Sequence, residues 1–257
     1  MKIIFSESNP DYGSYTFPYV VWALAEDDID AEELYNRGFL PADWPRFYLT
    51  RSTRIVLSRF KAQKSLRMIL NRNQDITYEV LEAQSLELSD EELQKFHECA
   101  ERRFGNGVVD EERLNKILKV KNCSHLLRFI QNGKTIGVVT LYVLGKSAHY
   151  NFCFYDLSLL ERSIGNHMML TAAQHFKSTG FEYLYLGTCY AEHFKYKARF
   201  AGFEFFNGIH WSSNVKELEY LLKNNRQTTH LLEDENYTMQ YAPLDRVWLH
   251  TKRMIRN

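Results

Sequence analysis

Three consecutive stretches of apolar and β-branched residues, separated by tight turns, constrain the fold of this chain more than any other feature. They run through HLLRFIQNGKTIGVVTLYVLGKSAHYNFCFYD, residues 125–156, with turn signals at Asn132-Gly133 and Gly145. Asn-Gly is typical of a two-residue hairpin turn, because both central positions need positive φ. We therefore predict an antiparallel meander of three strands. A helix of about four turns within residues 158–180, closed by Gly180, and a strand at FEYLYLG, residues 181–187, follow it.

The residues before the meander predict short elements and one basic helix. Phe17–Leu24 reads as a strand, and a helix is expected from about Ala31, with Asp28 or Asp30 as its N-cap. Residues 61–75, KAQKSLRMILNRNQD, predict a helix with four cations on an exposed face and an apolar face opposite. A strand at ITYEVLEA, a helix that begins with a Ser89/Glu92 capping box and a short helix at VVDEERLNKILKV complete this part.

Composition excludes several classes of function. The 257 residues carry 32 Lys and Arg against 32 Asp and Glu, so no overall field attracts nucleic acid, and binding to RNA must use a local patch. We expect no DNA partner and, since no stretch approaches the ~20 apolar residues of a span, no membrane partner. The four cysteines form no C-x-x-C pair, and Met1–Phe5 leads into no apolar signal region, which predicts a cytoplasmic protein with reduced thiols. None of the nine histidines has metal-ligand spacing, so no metal is expected.

The third strand of the meander carries a polar face. Strict alternation over residues 149–156 would put His149, Asn151, Cys153 and Tyr155 on one face, opposite Tyr150, Phe152 and Phe154. The polar face is a candidate lining for a cleft, and a strand capped by Asp156 as the start of the next helix is the structural alternative.

The start of the following helix, ERSIGNHMM at residues 161–169, is a candidate phosphate site. Arg162, Gly165 and the free amides of the first turn are suited to an anion, although an ordinary helix start with a packing glycine is as good a reading. The segment is similar to the R-x-x-G-x-G/A pyrophosphate loop of acetyl-CoA enzymes, but His167 stands where the last small residue would be. We expect that loop to be obstructed for a coenzyme A pyrophosphate.

The order meander, helix, strand, helix, strand resembles the core of GNAT acyltransferases. The resemblance implies an α/β (α+β) fold with a GNAT-like mixed, mainly antiparallel sheet flanked by helices, and a cleft opened by two splayed central strands. We divide the chain accordingly. Residues 1–75 form a smaller N-terminal subdomain with the basic helix, residues 76–212 the GNAT-like transferase domain, and residues 213–257 an extension packed on it.

Three segments, in the same order, resemble the arginyl-tRNA–protein transferases, including bacterial members that transfer leucine. FKAQKSLRMILNRNQDI, residues 60–76, is similar to a basic segment of the type F-x-P-S-K/R-S-Q-R-R-V-L-R-R-N-x-D-L. SAHYNFCFYDLSLLERSIGNHMM, residues 147–169, is similar to S-A-V-Y-x-F-F-D-P followed by R-S-L-G. YLYLGTCYAEHFKYKARF, residues 183–200, is similar to Y-x-Y-L-G-Y-x-I-x-x-C-x-K-M-x-Y-K-A-x-F. Together the matches span roughly residues 12–211.

This resemblance implies a transferase that takes an amino acid from aminoacyl-tRNA, its co-substrate, and joins it to the amine of a protein N-terminus, peptide or small molecule, without a cofactor. The implied tRNA-binding residues are Lys64, Arg67, Arg72, Arg162, Lys195, Tyr196, Lys197 and Arg199. The implied substrate-binding residues are Tyr150, Asn151, Phe152, Gly187, Thr188, Cys189 and Tyr190. For catalysis we consider Tyr185 or backbone amides as oxyanion donors, and Asp156, His149 or His193 as the general base.

The chain also departs from the family pattern. Where the family has a cysteine-rich segment, this chain reads TRSTRIVLSRF at residues 50–60, with no cysteine and fewer residues. The cysteine of the third segment corresponds to about His193, and an expected Asp is replaced by Thr140 or Leu141. Two alternatives therefore remain open: an acetyl-CoA-dependent GNAT N-acetyltransferase, and a non-catalytic descendant that binds tRNA or a peptide.

Overall fold

The computed structural model describes residues 1–7, 19–42, 44–119, 121, 123–224 and 234–241. The strands are β1 Lys2–Glu7, β2 Tyr19–Leu24, β3 Phe39–Pro41, β4 Arg46–Leu49, β5 Ser52–Val56, β6 Thr77–Glu82, β7 His125–Gln131, β8 Lys134–Leu144, β9 Ser147–Tyr155, β10 Tyr183–Thr188, β11 Phe203–Phe206 and β12 Trp211–Ser212. The α-helices are α1 Asp28–Asn36, α2 Lys64–Arg72, α3 Asp90–Phe104, α4 Glu111–Lys119, α5 Ile164–Ser178, α6 Val215–Lys223 and α7 Glu235–Tyr241.

Eight strands form the larger sheet in the order β12-β11-β5-β10-β9-β8-β7-β6, and β1-β2-β4-β3 form a smaller one. Strands β6 to β9 are an antiparallel meander, β10 lies parallel to β9, and β5 pairs antiparallel with β10. Asn132 and Gly133 both have positive φ, at 51° and 76°, as the hairpin prediction requires. The mixed, mainly antiparallel sheet flanked by helices confirms the predicted fold class.

Helices cover both faces of the larger sheet. α5 and α2 pack together over β7 to β10 in a core that contains Leu66, Tyr150 and Met168. α3 and α4 pack over the other face, against Val138 and Phe154. α1 and the smaller sheet pack on the same face as α3 and α4, nearer the end of β8. There they bury Tyr35 and other aromatic rings against Tyr142, Leu144 and Tyr185. Each face of β8 and β9 therefore supports a different set of helices.

Several local predictions are confirmed and one is corrected. The Ser89/Glu92 capping box is present at the start of α3, and Asp156 accepts a hydrogen bond from the amide of Ser158 (2.9 Å). The N-cap of α1 is Asp27, not Asp28 or Asp30, because the Asp27 carboxylate accepts from the Asp30 amide (2.9 Å). Phe17 and Pro18, the start of the strand predicted over 17–24, lie outside the described residues.

The helix predicted within residues 158–180 is not continuous. Leu157–Arg162 forms a 3₁₀ segment, Ser163 adopts a left-handed backbone with φ 58°, and α5 begins only at Ile164. Side-chain hydrogen bonds explain the break, since Asn73 donates to the Arg162 carbonyl oxygen (3.0 Å) and Arg72 to that of Glu161 (3.0 Å). The chain therefore turns sharply between the end of β9 and α5.

Strict alternation in β9 is also wrong, because a bulge interrupts it. Val139 pairs with Cys153, but Leu141 pairs with Tyr150, so β9 has one more residue here than β8. The Thr140 hydroxyl accepts from the Phe152 amide (2.9 Å) and so satisfies a group at the irregular position. As a result Tyr150 and Cys153 share the α5 face, whereas Phe154 lies on the opposite face.

The predicted division of the chain stays a prediction. Strand β5, which that division assigns to the N-terminal subdomain, lies within the larger sheet between β10 and β11. Within residues 213–257, the described α6 and α7 pack beside β11, and the buried Glu217 accepts hydrogen bonds from Asn207 (2.8 Å) and Tyr237 (2.6 Å). The other residues of that extension, 225–233 and 242–257, lie outside the described part. No helix among the described residues has the length and apolar character of a membrane span.

Candidate active-site cleft between two diverging strands

Two neighbouring strands of the larger sheet separate after a short pairing. β9 and β10 are paired only from Ser147↔Tyr183 to His149↔Tyr185. Beyond that point β9 continues its ladder with β8, while β10 stays with β5 as far as Thr188↔Ser52. We call the space between residues 150–155 of β9 and residues 186–188 of β10 the cleft. Diverging strands leave backbone groups without ladder partners, and other groups must satisfy them.

On the β10 wall, Lys197 supplies the missing partner. It lies in the 3₁₀ segment Glu192–Arg199, is only 5% exposed, and donates to the carbonyl oxygens of Leu186 (2.6 Å) and Thr188 (2.8 Å). Gly187 between them has φ 77°, which favours glycine, and the strand is irregular here. The pKa of Lys197 is lowered to about 8, mainly by burial, with an opposing effect of Cys189 and a smaller lowering by the charge of Arg103. The ammonium is therefore still largely protonated at pH 7.

On the β9 wall, Arg103 from the last turn of α3 donates through Nη1 to the carbonyl oxygen of Cys153. The hydroxyl of Tyr150 is buried, with the residue 4% exposed; the Cys153 thiol lies beside it, but no group among the described residues makes a hydrogen bond of ordinary geometry with it. The thiol of Cys153 donates to Sδ of Met168 instead (3.8 Å). Burial raises the pKa of Tyr150 far above its ordinary value, and Cys153, Tyr196 and Arg103 lie close enough to influence it. Tyr150 thus keeps its proton available for donation.

The two cations of the cleft differ from several other cations of the described structure in having no acidic partner there. Within the described part of the chain, no Asp or Glu forms an ion pair with Arg103 or Lys197. Among the described residues their charges meet neutral groups: backbone carbonyl oxygens, and the rings of Phe104 for Arg103 (5.3 Å) and Phe194 for Lys197 (4.9 Å). The cleft therefore carries positive charge without a carboxylate partner among the described residues, buried at Lys197 and exposed to solvent at Arg103, which favours an anion or a developing oxyanion.

His149 lies where the two strands separate. It is 3% exposed, its Nδ1 is 2.8 Å from the hydroxyl of Tyr35, and its Nε2 is buried without a partner among the described residues. Burial, with a contribution from the Lys197 charge, lowers the pKa of His149 to about 3. The imidazole is neutral at pH 7 and can accept a proton only if a substrate or water reaches Nε2.

The other predicted catalytic residues are placed outside the cleft. Tyr185 is fully buried against Tyr35, and its hydroxyl donates to Oδ1 of Asn36 (3.0 Å). Because that donor is engaged, we do not propose Tyr185 as an oxyanion donor. Asp156 pairs with Lys95 (3.0 Å); burial opposes ionisation, but the hydrogen bonds from Ser158 and this ion pair hold its pKa below the ordinary value. His193 is exposed, with its ring 3.9 Å from that of Phe194.

The predicted substrate-binding residues divide into two groups. Gly187 and Thr188 form the β10 wall, and Tyr150, Asn151 and Phe152 lie on β9 at the bulge. Cys189 and Tyr190 are buried behind that wall, where the Tyr190 hydroxyl contacts the Thr50 hydroxyl and accepts from the Arg51 amide (2.6 Å). A ring held in this way is part of the packing and is not open to stack on a base.

The predicted tRNA-binding residues are likewise divided. Lys64 and Arg67 are exposed on α2, and Arg199 is exposed after the cleft. Arg162 is held by Asp75 and by the Arg72 carbonyl oxygen (2.7 Å), and Lys195 pairs with Glu219 (2.5 Å). Tyr196 is half-buried near Arg103, and Lys197 is in the cleft wall. Arg72 reaches the Glu161 carbonyl oxygen.

The start of α5 is closed differently from the prediction. His167 is 5% exposed, with its ring 6.0 Å from that of Phe129, so it lies in the core and does not obstruct the first-turn amides. The ring of Tyr155 lies over Gly165, where an added Cβ would be 3.3 Å from it. Arg162, the predicted phosphate ligand, is engaged with Asp75. Among the described residues, no three His, Cys, Asp or Glu side chains are grouped as metal ligands are.

Sequence reasoning missed Arg103 and Tyr35. In CAERRFG, Arg103 reads as one of two cations that complement the end of a helix, and no local pattern indicates that it reaches β9. Tyr35 reads as a core residue of a short helix, and only the packing of that helix on β9 brings its hydroxyl to His149.

Comparison with known proteins relates this cleft to a family. The profile described as "Arginine-tRNA-protein transferase, C terminus" matches residues 78–207, about half of the chain, and includes both walls of the cleft. An aspartate/glutamate leucyltransferase from Xanthomonas euvesicatoria pv. vesicatoria is 29% identical over 171 residues, 62% of this chain and 66% of that protein. One from Ruegeria pomeroyi is 28% identical over 170 residues, 63% of this chain and 61% of that protein.

These matches span less than two thirds of the relatives' own length. Among solved structures, L-PGS from Bacillus licheniformis superposes with a TM-score of 0.41 at 15% identity, over 63% of this chain and 52% of that one. The family profile runs through α3, β9, β10 and the Lys197 segment, the elements that form the cleft. The chain therefore belongs to the arginine-tRNA–protein transferase family.

Proposed function

We propose that this chain transfers an amino acid from aminoacyl-tRNA to an amine acceptor, with the reaction in the cleft between β9 and β10. One observation carries the proposal: the family profile covers both walls of a cleft that holds two cations without acidic partners in the described structure. The product is an amide, formed at the expense of an aminoacyl ester.

Little chemical activation is required, because the ester of aminoacyl-tRNA is already reactive. An uncharged amine attacks the ester carbonyl, a tetrahedral oxyanion forms, and the ribose hydroxyl leaves with a proton. Rate then depends mainly on holding the two substrates in line and on stabilising the oxyanion. The positive charge that Arg103 and Lys197 bring to the cleft is suited to the second task.

The amine must lose a proton during the reaction. Of the three residues considered as base, we propose His149 on position alone, because its Nε2 has no partner among the described residues, although burial lowers its pKa to about 3 and makes the imidazole a weak base. Asp156 is engaged with Lys95, and His193 is exposed beyond the cleft. A water molecule that connects the amine to Nε2 would let a buried imidazole act as the acceptor.

The tRNA partner is proposed to lie along α2. Lys64 and Arg67 are exposed there, and α2 packs beside α5, whose core contains Tyr150 of the cleft. A local cationic surface of this kind is enough for RNA binding on a chain with equal numbers of acidic and basic residues. We propose no cofactor, and a cytoplasmic location, where charged tRNA is available.

The amino acid and the acceptor are proposed only by class. The relatives are named as leucyltransferases for aspartate and glutamate. Leucine is therefore the first donor to test and arginine the second. The departures at residues 50–60 and at His193 bear on the acceptor, so proteins, peptides and small amines all belong in the assay.

The experiment uses the purified full chain, total aminoacyl-tRNA with each amino acid labelled in turn, and a panel of acidic, basic and neutral peptides. Mass spectrometry of the acceptors should find one product extended by one residue. If no labelled amino acid moves to any acceptor while intact charged tRNA remains, the transferase proposal is wrong. Stabilisation by acetyl-CoA and not by tRNA in the same buffer would instead favour acetyl transfer.

A further inference from the structure

We propose that Arg103, Lys197 and the Tyr150 hydroxyl form one receptor for an anionic group, and that its occupant is the last phosphodiester of the tRNA 3′ end. This inference rests on the proposed function and deepens it. It assigns a binding role to Arg103, which the sequence motifs do not include, and it gives Lys197 a buried position in the cleft in place of a surface contact.

The two cations satisfy the backbone where the strands part. Lys197 donates to the carbonyl oxygens of residues 186 and 188 on β10, and Arg103 donates to that of Cys153 on β9. Each cation therefore binds carbonyl oxygens that would bind the neighbouring strand if β9 and β10 stayed paired. The cations keep β9 and β10 apart and, at the same time, bring two positive charges to the space between them.

That arrangement leaves hydrogen-bonding capacity unused. A guanidinium has five N–H donors and an ammonium three, and the described structure assigns one from Arg103 and two from Lys197. The Tyr150 hydroxyl, nine-tenths buried, has no partner there either. The buried Lys197 charge and the unpaired Tyr150 hydroxyl are costly unless a ligand compensates them, and the exposed Arg103 adds a second like charge beside them. A single anion that accepts from all three removes each cost.

A phosphodiester fits the site better than a carboxylate of the acceptor. The exposed Lys64 and Arg67 on α2 mark a path for a polynucleotide on the face of the sheet that Tyr150 shares. In aminoacyl-tRNA the reacting ester is attached to the terminal ribose, and the phosphate on that same ribose is the anion nearest to it in the chain. An ester held between the strands therefore brings this phosphate to the cleft walls.

The test is a binding cycle between protein and RNA. Two acceptor-stem minihelices that end in CCA, one from a leucine and one from an arginine tRNA, are each made with a normal or a neutral methylphosphonate final linkage. Their dissociation constants are measured with the full chain and with Arg103→Gln, which keeps an amide donor for the Cys153 carbonyl but removes the charge. Arg102→Gln, one residue earlier on the exposed end of α3, is the matched control.

The neutral linkage should weaken binding to the unaltered chain and to Arg102→Gln about ten-fold, as expected for one charge-assisted hydrogen bond. With Arg103→Gln the normal linkage should bind more weakly and the ratio between the two linkages should fall well below ten-fold, because only Lys197 and the Tyr150 hydroxyl remain to bind the phosphate. A merely structural role of Arg103 would weaken both RNAs and leave their ratio unchanged, and this result would overturn the inference.

Two further outcomes separate this inference from the proposed function. If the minihelices bind and the neutral linkage makes no difference to the unaltered chain, the phosphate receptor is wrong and the transferase proposal stands. If neither minihelix binds, both are wrong. If Arg103→Gln keeps the ten-fold ratio and raises KM only for acceptors with a carboxylate, the receptor belongs to the acceptor and the phosphate assignment is overturned.

Discussion

Two cationic regions lie close together in this molecule and differ in what faces them. At the turn before α5, Arg162 is held by the carboxylate of Asp75, which also accepts from Gln131 (2.6 Å) and whose pKa is held well below its ordinary value. In the cleft, Arg103 and Lys197 face backbone carbonyl oxygens and aromatic rings, and no carboxylate of the described residues pairs with them. The first region is internally neutralised and stabilises a turn, whereas the second retains its charge. We therefore expect an anionic substrate to bind where positive charge is uncompensated, and not simply where cations are most numerous.

The sharpest test of this contrast is Lys197→Met. It leaves the carbonyl oxygens of Leu186 and Thr188 without their partner in a buried site, which should cost about 2–4 kcal/mol of the free energy of unfolding. Transfer should fall by about 100-fold or more if the ammonium also contacts substrate. Urea unfolding and the transfer assay measure the two effects. Lys195→Met, which removes an exposed ion pair with Glu219, is the control and should leave stability nearly unchanged.

A second prediction concerns acid stability at the point where the strands part. His149 has a folded-state pKa of about 3, below the ordinary value of 6.5, so its contribution is complete above pH 6.5 and is lost as pH falls towards 3. Between pH 7 and 4.5 this residue should account for about 2–3 kcal/mol of lost stability, at 1.36 kcal/mol per unit of pKa difference. His149→Gln should lose correspondingly less over that range in urea titrations. His193→Gln, at an exposed position, should behave like the unaltered chain, and equal acid sensitivity of all three proteins would contradict the prediction.

Tyr150→Phe separates stability from function in the cleft. The hydroxyl that it removes has no partner among the described residues, so the unfolding free energy should stay within about 1 kcal/mol or rise slightly. If the hydroxyl donates to substrate, kcat/KM for transfer should fall about ten-fold. Tyr237→Phe is a useful contrast, because its hydroxyl donates to the buried Glu217 and its removal should destabilise the chain. A large loss of stability in Tyr150→Phe would show that the hydroxyl already has a structural partner.

Much of the fold follows from local patterns, while the decisive features of the cleft depend on contacts between distant segments. The Asn132-Gly133 turn and the Ser89 capping box need only a few neighbouring residues, and both are present as predicted. The bulge in β9 depends on the side chain of Thr140 on another strand, so an alternation count fails there. The reach of Arg103 depends on where α3 ends relative to β9, which no single segment specifies.

The difference between local pattern and tertiary packing also explains why the basic residues of segment 183–200 lie in different environments. The pattern places Lys195, Lys197 and Arg199 together as surface cations, but 3₁₀ geometry and the buried edge of β10 separate them. Lys197 turns into the cleft wall, Lys195 pairs with α6, and Arg199 stays exposed. The sequence shows that the segment is basic, but only the tertiary structure shows which of its cations is buried, which is paired and which is exposed.

The smallest expected effect comes from replacing the exposed cations of α2. Replacing Lys64 and Arg67 by Ala should leave stability nearly unchanged, because both are exposed and form no ion pair among the described residues. Each phosphate contact that is lost should reduce the slope of log affinity for tRNA against log salt by about 0.7–0.9, so the pair should lower it by about 1.5. Arg162→Gln should not change the slope, since its charge is already neutralised by Asp75. Affinities measured from low to moderate salt decide between these cases. A change of slope in Arg162→Gln, or none in the α2 variant, would mean that acidic partners do not determine which cations of this molecule meet the RNA.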